Sequence, residues 1–507
     1  MGQRFSLQMK NLNSGFTKTQ KAAFLWIWIL LMLIILYCFK DGVSGNDFWW
    51  HIKAGEWICT HKTVPKQDIF SWYGMEQHIP WTAHEWLAEV ILYKIFQLGG
   101  SNGVYLFSMA LGVIFLNISY LEGGKYVGRN FVFCGIFYAV YAVIVYMFFY
   151  GRPQIFSFMF LFAELKILYR FYDAPKTRSI YFIPFLSCLW SNIHGGSSCM
   201  VYVLCLIFLT AGTFEFRMGR VAAKKWDRNS RMKLAVVTIT SVLALLINPI
   251  GASVLKYPYS NLSDTISMKL ISEWSAPDAK DIGQLILFFL PIVLMAIGFI
   301  TEEMEIRLID LLIFAGFLYL FFRSQRFIIM WSLAANFCCM RYVPQIRIKE
   351  MTTKAEKRLM ALLTAATLLL CVCTVGIIAQ NIHNGVRMVK TEMSDEMLEA
   401  VKEEAITALF NEYNYSGELI FNEIPVFWDS RADLFAGNIL GDASALMYLQ
   451  NITGNAEDFA EKVIEKYGFD SFLLMKERPL CTYLLSHPEK YSVKYYDGQA
   501  LFFIKTR

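Results

Sequence analysis

Charged residues are scarce in this chain. Only 18% of its 507 residues are Asp, Glu, Lys or Arg, and 56% are hydrophobic, whereas soluble globular proteins have about 25% charged residues. This composition excludes a soluble enzyme, a disordered regulator and a fibrous protein. The net charge of +5 is too small and too scattered for a nucleic-acid-binding protein, so no nucleic-acid partner is expected.

Several common catalytic motifs are also missing from the sequence. It has no phosphate-binding glycine loop with Lys-Ser/Thr, no Gly-x-Ser-x-Gly elbow and no His-Glu-x-x-His helix. Most of the 11 cysteines lie in apolar runs, where a thiol behaves as a small hydrophobic group. Only Cys59 and Cys481 lie well outside such runs, so at most one long-range disulfide is conceivable.

The hydrophobic residues are grouped in runs that approach the roughly 20 residues needed to span a bilayer as a helix. The first run, 22–39, follows a basic tail and has no small-residue cleavage site after it, which favours a retained span. Further runs lie near 103–120, 130–150, 154–171, 179–193, 198–214, 233–249, 283–301, 305–322, 326–341 and 358–380. The sequence therefore predicts a polytopic α-helical membrane protein with about eleven transmembrane helices.

Basic residues concentrate in alternate loops between these runs. The richest loop contains Arg217, Arg220, Lys224, Lys225, Arg228, Arg231 and Lys233. Because cytoplasmic loops carry the excess of Lys and Arg, we expect a cytoplasmic N-terminus. An odd number of spans then places the C-terminal segment outside the cytoplasm.

The last part of the chain differs in character from the apolar part. After about residue 382 charged residues become frequent, and strand-like runs alternate with helical patterns such as AEDFAEKVIEKYG. The strand-like runs are ELIFN (418–422), SFLLMK (471–476), YSVKYY (491–496) and ALFFIK (500–505). We predict a transmembrane domain over 1–381 and a small extracytoplasmic α/β domain over 382–507.

The long first outer loop, 41–101, is rich in tryptophan and is predicted to form amphipathic helices at the membrane interface. Asp47 can cap a helix, and His51, four residues later, would share its face. A carboxylate at the bilayer surface with a histidine one turn away suits a general base. The alternatives are a plain helix cap for Asp47 and an interfacial aromatic belt for tryptophans such as Trp50.

Other polar clusters fall on the same predicted outer face. Arg152, between two spans, needs an anionic partner, which is either a protein carboxylate or a phosphate. The remaining outer candidates are His84 and Glu85, His194 beside two glycines, Glu273 and Trp274, and Arg323 and Arg326. Histidines and carboxylates are ordinary metal ligands, but no pair has a specific zinc spacing. A divalent metal is therefore possible and no cofactor is predicted to be required.

Several sequence motifs resemble those of a known family. The runs NDFWWHIKAGEWI, HEWLAEVILY, GRPQIFSF, NIHGG, ISEWSAPD, RSQRFI and FWDSRADLF (427–435) span nearly the whole chain. They resemble a family of bacterial multi-span proteins that look like relatives of the membrane-integral C-type glycosyltransferases (GT-C fold). Protein O-mannosyltransferases and lipid A aminoarabinose transferase are such enzymes. The link to these characterised enzymes depends on the architecture and on the acid in the first outer loop.

The resemblance implies a membrane glycosyltransferase in the bacterial cytoplasmic membrane. Its partners would be a polyprenyl-phosphate-linked sugar, membrane lipid and a cell-envelope acceptor, and Asp47 matches the family's carboxylate after the first span. No second acid stands beside Asp47, so the resemblance does not indicate which class of acceptor receives the sugar.

The residue types fit this chemistry independently of the resemblance. A phosphate leaving group needs cations, and the incoming hydroxyl needs a base. One carboxylate suffices for a single displacement, which predicts inversion at the anomeric carbon. The expected roles are catalysis by Asp47 and His51, donor-phosphate binding by Arg152, Arg326 and Arg323, and a substrate pocket of Trp50, His84, Glu85, His194, Glu273 and Trp274.

The sequence leaves two alternative functions open. A lipid-linked glycan transporter would need charges near mid-span, where only a few, Glu164 and Asp310 among them, occur. A catalytically inactive scaffold in cell-envelope assembly would keep the same fold and use its outer domain for binding.

Overall fold

The computed structural model describes residues 18–506 except 41–44, 46, 264–271, 302, 345–352, 387–392, 436–437 and 451–454. A helix lies in each predicted apolar run. These helices are Lys18–Phe39, Trp86–Gly123, Phe131–Phe148, Gln154–Asp173, Ile183–Ile193, Met200–Thr213, Arg228–Leu245, Leu290–Thr301, Leu308–Arg323, Ile328–Cys338 and Thr353–Asn384. Shorter helices at Ser253–Ser263 and Ile282–Gln284 lie between the seventh and eighth of them.

Six helices in the described residues are long and apolar enough to cross a membrane. They are Gln20–Phe39, Trp86–Gly128, Phe131–Phe148, Gly195–Thr213, Ile282–Thr301 and Met360–Asn384. The other helices are shorter or contain more charge; Gln154–Asp173, for example, contains Glu164, Lys166 and Arg170. Eleven spans therefore stay a prediction, while the multi-pass helical architecture agrees with the sequence.

The second of these helices is longer than the predicted run 103–120. It begins at Trp86, inside the first outer loop, and ends at Gly123. Gly100 interrupts it with φ 57° and ψ −152°, a left-handed backbone that a side chain would disfavour. The loop also contains the helices Phe48–His61 and Trp72–Glu76, so its polar residues are carried on ordered elements.

One helix lies inside the bundle. All residues of Ile328–Cys338 are buried, which fits a helix that is apolar on every face. Its polar residue Asn336 accepts a hydrogen bond from Tyr138 Oη at 2.7 Å and donates one to the Ser119 carbonyl at 2.9 Å. The buried amide is thus satisfied, as burial requires.

The C-terminal part is built around a four-stranded sheet. Its strands β4 (Leu409–Asn411), β5 (Ser471–Met475), β6 (Tyr491–Tyr496) and β7 (Ala500–Lys505) are ordered β4-β5-β7-β6, and only the β4–β5 pair is parallel. Helices in this part are Asp395–Glu403, Ser416–Phe421, Ala432–Phe435, Asn438–Tyr448, Ala456–Tyr467 and Pro479–Leu485. A smaller sheet of β1 (Phe216–Met218), β2 (Val221–Ala223) and β3 (Ile306–Arg307) joins two loops of the helical part.

One strand prediction is wrong. The run ELIFN (418–422) lies mostly in the helix Ser416–Phe421, and the strand precedes it at Leu409–Asn411. A short apolar run buried on its inner face does not reveal its period, because a buried strand and a buried helix turn look alike in sequence. The other three strand-like runs coincide with β5, β6 and β7.

The C-terminal part shares a hydrophobic core with the first outer loop. Trp50, Ile58 and Trp81 from the loop belong to the same buried cluster as Phe410 and Phe427. Trp50 Nε1 also donates a hydrogen bond to Ser430 Oγ at 3.0 Å. The two segments therefore pack together at the end of the helical bundle where the first helix ends. Cys59 and Cys481 are both free thiols.

Candidate active site

A cavity of about 490 Å³ lies where the helical bundle, the first outer loop and the C-terminal part meet. Of the predicted site residues, all except Arg323 line it: Asp47, Trp50, His51, His84, Glu85, Arg152, His194, Glu273, Trp274 and Arg326. Polar residues from loops that are far apart in sequence thus converge on one space. This volume falls in the range of small-molecule sites.

Arg152 lies between two carboxylates in this cavity. Its Nε is 2.8 Å from Asp47 Oδ2, and its Nη1 is 3.2 Å from Glu273 Oε2. Asp47 occupies the N-cap position of Phe48–His61, but its side chain makes no capping hydrogen bond. The carboxylate is directed to the guanidinium instead, so the Asp47 side chain does not cap this helix.

Glu273 is held in its charged form. Burial disfavours the carboxylate, but the Arg152 and Arg326 guanidiniums outweigh burial and keep the pKa of Glu273 below its usual range. Tyr150 donates a long hydrogen bond of 3.4 Å to Glu273 Oε1, and burial raises the pKa of Tyr150 to about 12. This part of the cavity therefore contains two acids and two guanidiniums.

The two arginines near residue 325 have different surroundings. The Arg326 guanidinium lies over the Trp274 ring, 5.1 Å from its centroid, and Arg326 lines the cavity. Arg323 is the last residue of Leu308–Arg323 and is exposed outside the lining. The short turn Gln325–Phe327 separates the two side chains, so a direct phosphate contact by Arg323 is not supported.

His51 lies beside two acids, and neither of them is the expected Asp47. Its Nδ1 is 3.3 Å from Glu89 Oε1 and its Nε2 is 3.9 Å from Glu85 Oε2. The predicted pairing with Asp47 is replaced by these contacts, because Asp47 precedes the first helical turn and turns toward Arg152. His51 is also nearly fully buried, and its ring centroid lies 3.7 Å from that of Trp50.

Close helix packing brings His51 to Glu89. At Gly55 on the loop helix, a Cβ atom would collide with the Glu89 carbonyl oxygen. The absence of that atom lets Phe48–His61 approach the first turns of Trp86–Gly123. Glu85 and Glu89, four residues apart, then present their carboxylates on one face toward the histidine.

Glu85 is the centre of a histidine cluster. Its Oε1 accepts a hydrogen bond from His194 Nε2 at 2.9 Å, and His84 Nε2 lies 3.9 Å away. Burial would raise the pKa of the Glu85 carboxyl, but His194, His84 and His51 outweigh it and hold that pKa well below its usual range. Glu85 is therefore an anion at neutral pH.

His194 is fixed from its other side by hydroxyls. Ser157 Oγ lies 2.7 Å from His194 Nδ1, and Ser197 Oγ also contacts that nitrogen. Trp190 Nε1 donates to Ser157 Oγ at 2.8 Å. Sequence reasoning did not single out these serines or Glu89; the spacing of Glu85 and Glu89 in HEWLAEV was the available signal for Glu89.

The C-terminal part supplies a wall that sequence reasoning did not assign. Tyr413, Asn414, Ser430, Arg431 and Arg478 line the cavity. Arg431, from the DSRAD motif, is buried and pairs through Nη1 with Asp68 Oδ1 at 2.7 Å and through Nη2 with Asp429 Oδ2 at 2.6 Å. This motif therefore joins the first outer loop to the C-terminal part.

Comparison with known proteins identifies the architecture. No protein-family model matches the chain, and no curated protein sequence matches it. Among solved structures, the oligosaccharyltransferase of Archaeoglobus fulgidus in the apo form matches with a TM-score of 0.53 and 12% identity, over 90% of this chain and 70% of that chain. The chain has the GT-C fold. It is a multi-pass membrane protein.

A second structure is also similar. It is the archaeal oligosaccharyltransferase AglB from Archaeoglobus fulgidus in complex with an inhibitory peptide and a dolichol-phosphate, with a TM-score of 0.48 and 13% identity. The match covers 97% of this chain and 75% of that chain. At such identities the likeness concerns the fold, and the chemistry of the present chain has to be argued from its own residues.

Proposed function

We propose that the protein is a membrane glycosyltransferase that takes a sugar from a polyprenyl-phosphate donor and passes it to an acceptor hydroxyl. The observation that carries this proposal is one cavity, in a chain with a GT-C fold, that is lined by the Asp47 carboxylate and by the guanidiniums of Arg152 and Arg326. The oligosaccharyltransferase with the similar fold is, by its name, also an enzyme that transfers glycans.

The two guanidiniums suit the leaving group. A lipid phosphate that separates from an anomeric carbon carries its negative charge away, and preorganised cations stabilise that charge. Arg152 is already shared by Asp47 and Glu273, so an entering phosphate competes with these carboxylates for it. Arg326, placed on the Trp274 ring, offers a second charge.

The transfer is a single displacement. The acceptor oxygen bonds to the anomeric carbon, the bond from that carbon to the phosphate oxygen breaks, and the phosphate keeps the electron pair. Asp47 takes the proton of the acceptor hydroxyl. A displacement from the opposite face inverts the configuration at the anomeric carbon.

The cellular setting follows the same proposal. The donor is lipid-linked, so the cavity opens at the membrane surface, and the acceptor is a glycan, lipid or protein of the cell envelope. The N-terminus is cytoplasmic and the C-terminal part extracytoplasmic, in keeping with the distribution of basic residues.

The charges within the bundle do not favour a transporter. Asp310 is buried and is satisfied by Arg307 at 2.6 Å and by the hydroxyls of Tyr169 and Tyr342 at 3.0 and 2.8 Å. Such a network fixes helices to one another. Glu164 is fully buried in its helix. A substrate pathway would instead place its charges along a polar route.

The test is donor turnover by purified protein in detergent with a panel of polyprenyl-phosphate hexoses. Asp47→Asn keeps the side-chain size and should reduce turnover by about a hundredfold or more, since general bases contribute about 10² to 10⁴. Asp458→Asn, an exposed acid of the C-terminal part, is the matched control. Full activity of Asp47→Asn would exclude Asp47 as the base, and a wild type without turnover of any donor would favour the scaffold.

A further inference from the structure

A second group of ligand-type side chains lies in the same cavity wall, apart from the Asp47–Arg152 pair. One ligand atom from each of His51, Glu85 and Glu89 lies within 4.8 Å of the others. His51 and Glu89 are nearly fully buried, and the Glu85 side chain is only 13% exposed. All three residues line the cavity, so the group is enclosed by protein on one side and open to the cavity on the other.

One atom of this group lacks a partner. Glu89 Oε2 is buried and makes no hydrogen bond, while Oε1 of the same carboxylate faces His51. A buried polar atom without a partner is costly. A cation that enters from the cavity would satisfy this oxygen and contact the His51 and Glu85 ligand atoms beside it.

We propose that His51, Glu85 and Glu89 bind a divalent transition-metal ion such as Zn²⁺ or Mn²⁺. One imidazole nitrogen with carboxylate oxygens is a donor set that suits Zn²⁺ and related ions. Three protein ligands leave at least one coordination position for a water or a substrate oxygen from the cavity. The proposal goes beyond glycosyl transfer, because it concerns the binding of a metal ion by the protein in the absence of a sugar donor.

The fold holds these ligands in place without the metal. Gly55 allows the two helices to touch at Glu89, and the Trp50 ring lies against the His51 ring. His194, fixed by Ser157, holds Glu85 at 2.9 Å. Such outer contacts orient ligands and typically change metal affinity about 10- to 100-fold.

The competing arrangement is a cluster held by side-chain contacts alone. In that case His51 stays beside Glu89 and Glu85 as the structure shows, and the chain takes up no divalent ion. Metal uptake is measured without a sugar donor, so its result is independent of the proposed transferase activity.

The experiment uses purified full-length protein in detergent, stripped with chelator and then dialysed against ZnCl₂ or MnCl₂. Elemental analysis should give about one Zn²⁺ per wild-type chain, and binding should reduce the electron paramagnetic resonance signal of free Mn²⁺. His51→Gln and Glu89→Gln should raise the Kd by about tenfold or more, since loss of a ligand exceeds loss of an outer contact. His61→Gln and Glu56→Gln, in less buried positions of the same helix, are the matched controls.

Two results would overturn the proposal. One is a wild type that takes up no metal, and the other is equal uptake by wild type and Glu89→Gln. Size-exclusion profiles identify variants that fail to fold, and Glu89→Asp then serves as a second variant, which keeps an oxygen ligand and should bind more weakly than wild type but more tightly than Glu89→Gln.

Discussion

Replacing Arg431 by Met should destabilise the junction between the C-terminal part and the first outer loop. The Arg431 side chain is 1% exposed and lies 2.7 Å from Asp68 and 2.6 Å from Asp429. Its guanidinium also lies 4.6 Å from the Trp81 ring centroid. Removing one partner of a buried ion pair costs about 3–5 kcal/mol, because the other charges stay buried without compensation. We therefore expect a large loss of stability at this junction.

The assay is thermal unfolding in detergent together with limited proteolysis of the C-terminal part. Arg431→Met should unfold at a lower temperature and be cleaved faster than wild type. The triple variant Asp68→Asn, Asp429→Asn, Arg431→Met should recover much of the loss, since the uncompensated charges are gone. If the triple variant is less stable than Arg431→Met, the two carboxylates are not the source of the cost.

The same variant has a pH signature. Burial raises the pKa of Asp429 in the native protein, and Arg431 opposes that rise. Without Arg431 the native pKa rises further, so the folded variant takes up a proton at a pH where the unfolded chain does not. Its deficit relative to wild type should therefore shrink as the pH falls from about 8 to about 5. A deficit that grows over this range would refute the reasoning.

Three further predictions concern binding, reactivity and orientation. Arg152→Met or Arg326→Met should weaken binding of the phosphate-linked donor and leave the affinity for a phosphate-free lipid sugar unchanged; equal losses in a competition assay would argue against the phosphate assignment. Burial raises the pKa of Cys481 to about 12, so its thiol should react with maleimide only after unfolding, as mass spectrometry can show. In a cysteine-free chain on intact cells, an impermeant maleimide should label Glu76→Cys at once and Lys224→Cys only after permeabilisation, and the reverse order would invert the topology.

The helical part could be predicted because its apolar runs are long and continuous. The run 22–39 falls within the helix Lys18–Phe39 and the run 358–380 within Thr353–Asn384. Short runs gave less information. Ile328–Cys338 is too short for a typical span and is buried on every face. Its composition does not reveal this, because a buried core helix and a membrane helix are both apolar on all sides. Hydropathy therefore located the helices, while the count of eleven spans stays a prediction.

The contact between the first outer loop and the C-terminal part could not be predicted. Trp50 and Ser430 are 380 residues apart in sequence, and no periodicity relates the two segments. An interfacial belt was the alternative interpretation of the loop tryptophans, whereas Trp50 and Trp81 belong to a buried core with C-terminal residues; Trp50 also lines the cavity, as predicted. Side-chain type gives the tendency to be buried or interfacial, but the partner is decided by the whole chain.

The candidate site could be predicted in its residues but not in its pairings. Asp47, Arg152 and Glu273 stand out in the sequence because charged residues are scarce in it, and a guanidinium between two spans requires an anionic partner. The expected partner of Asp47 was His51, yet Asp47 lies against Arg152 and His51 lies against Glu89. The spacing of four residues indicated only that the two side chains share a helix face. The Arg152 guanidinium, which comes from another loop, lies next to Asp47 in the structure.

This pairing links the two proposed roles. Arg152 Nε lies 2.8 Å from Asp47 Oδ2, so one oxygen of the proposed base is already engaged by the guanidinium. A donor phosphate that draws the guanidinium toward itself would release Asp47 at the moment when an acceptor hydroxyl must lose its proton. Loss of Arg152 should therefore reduce donor binding and also change turnover at saturating donor. Loss of Arg326, which lies over Trp274, should reduce donor binding with a smaller effect on turnover at saturating donor.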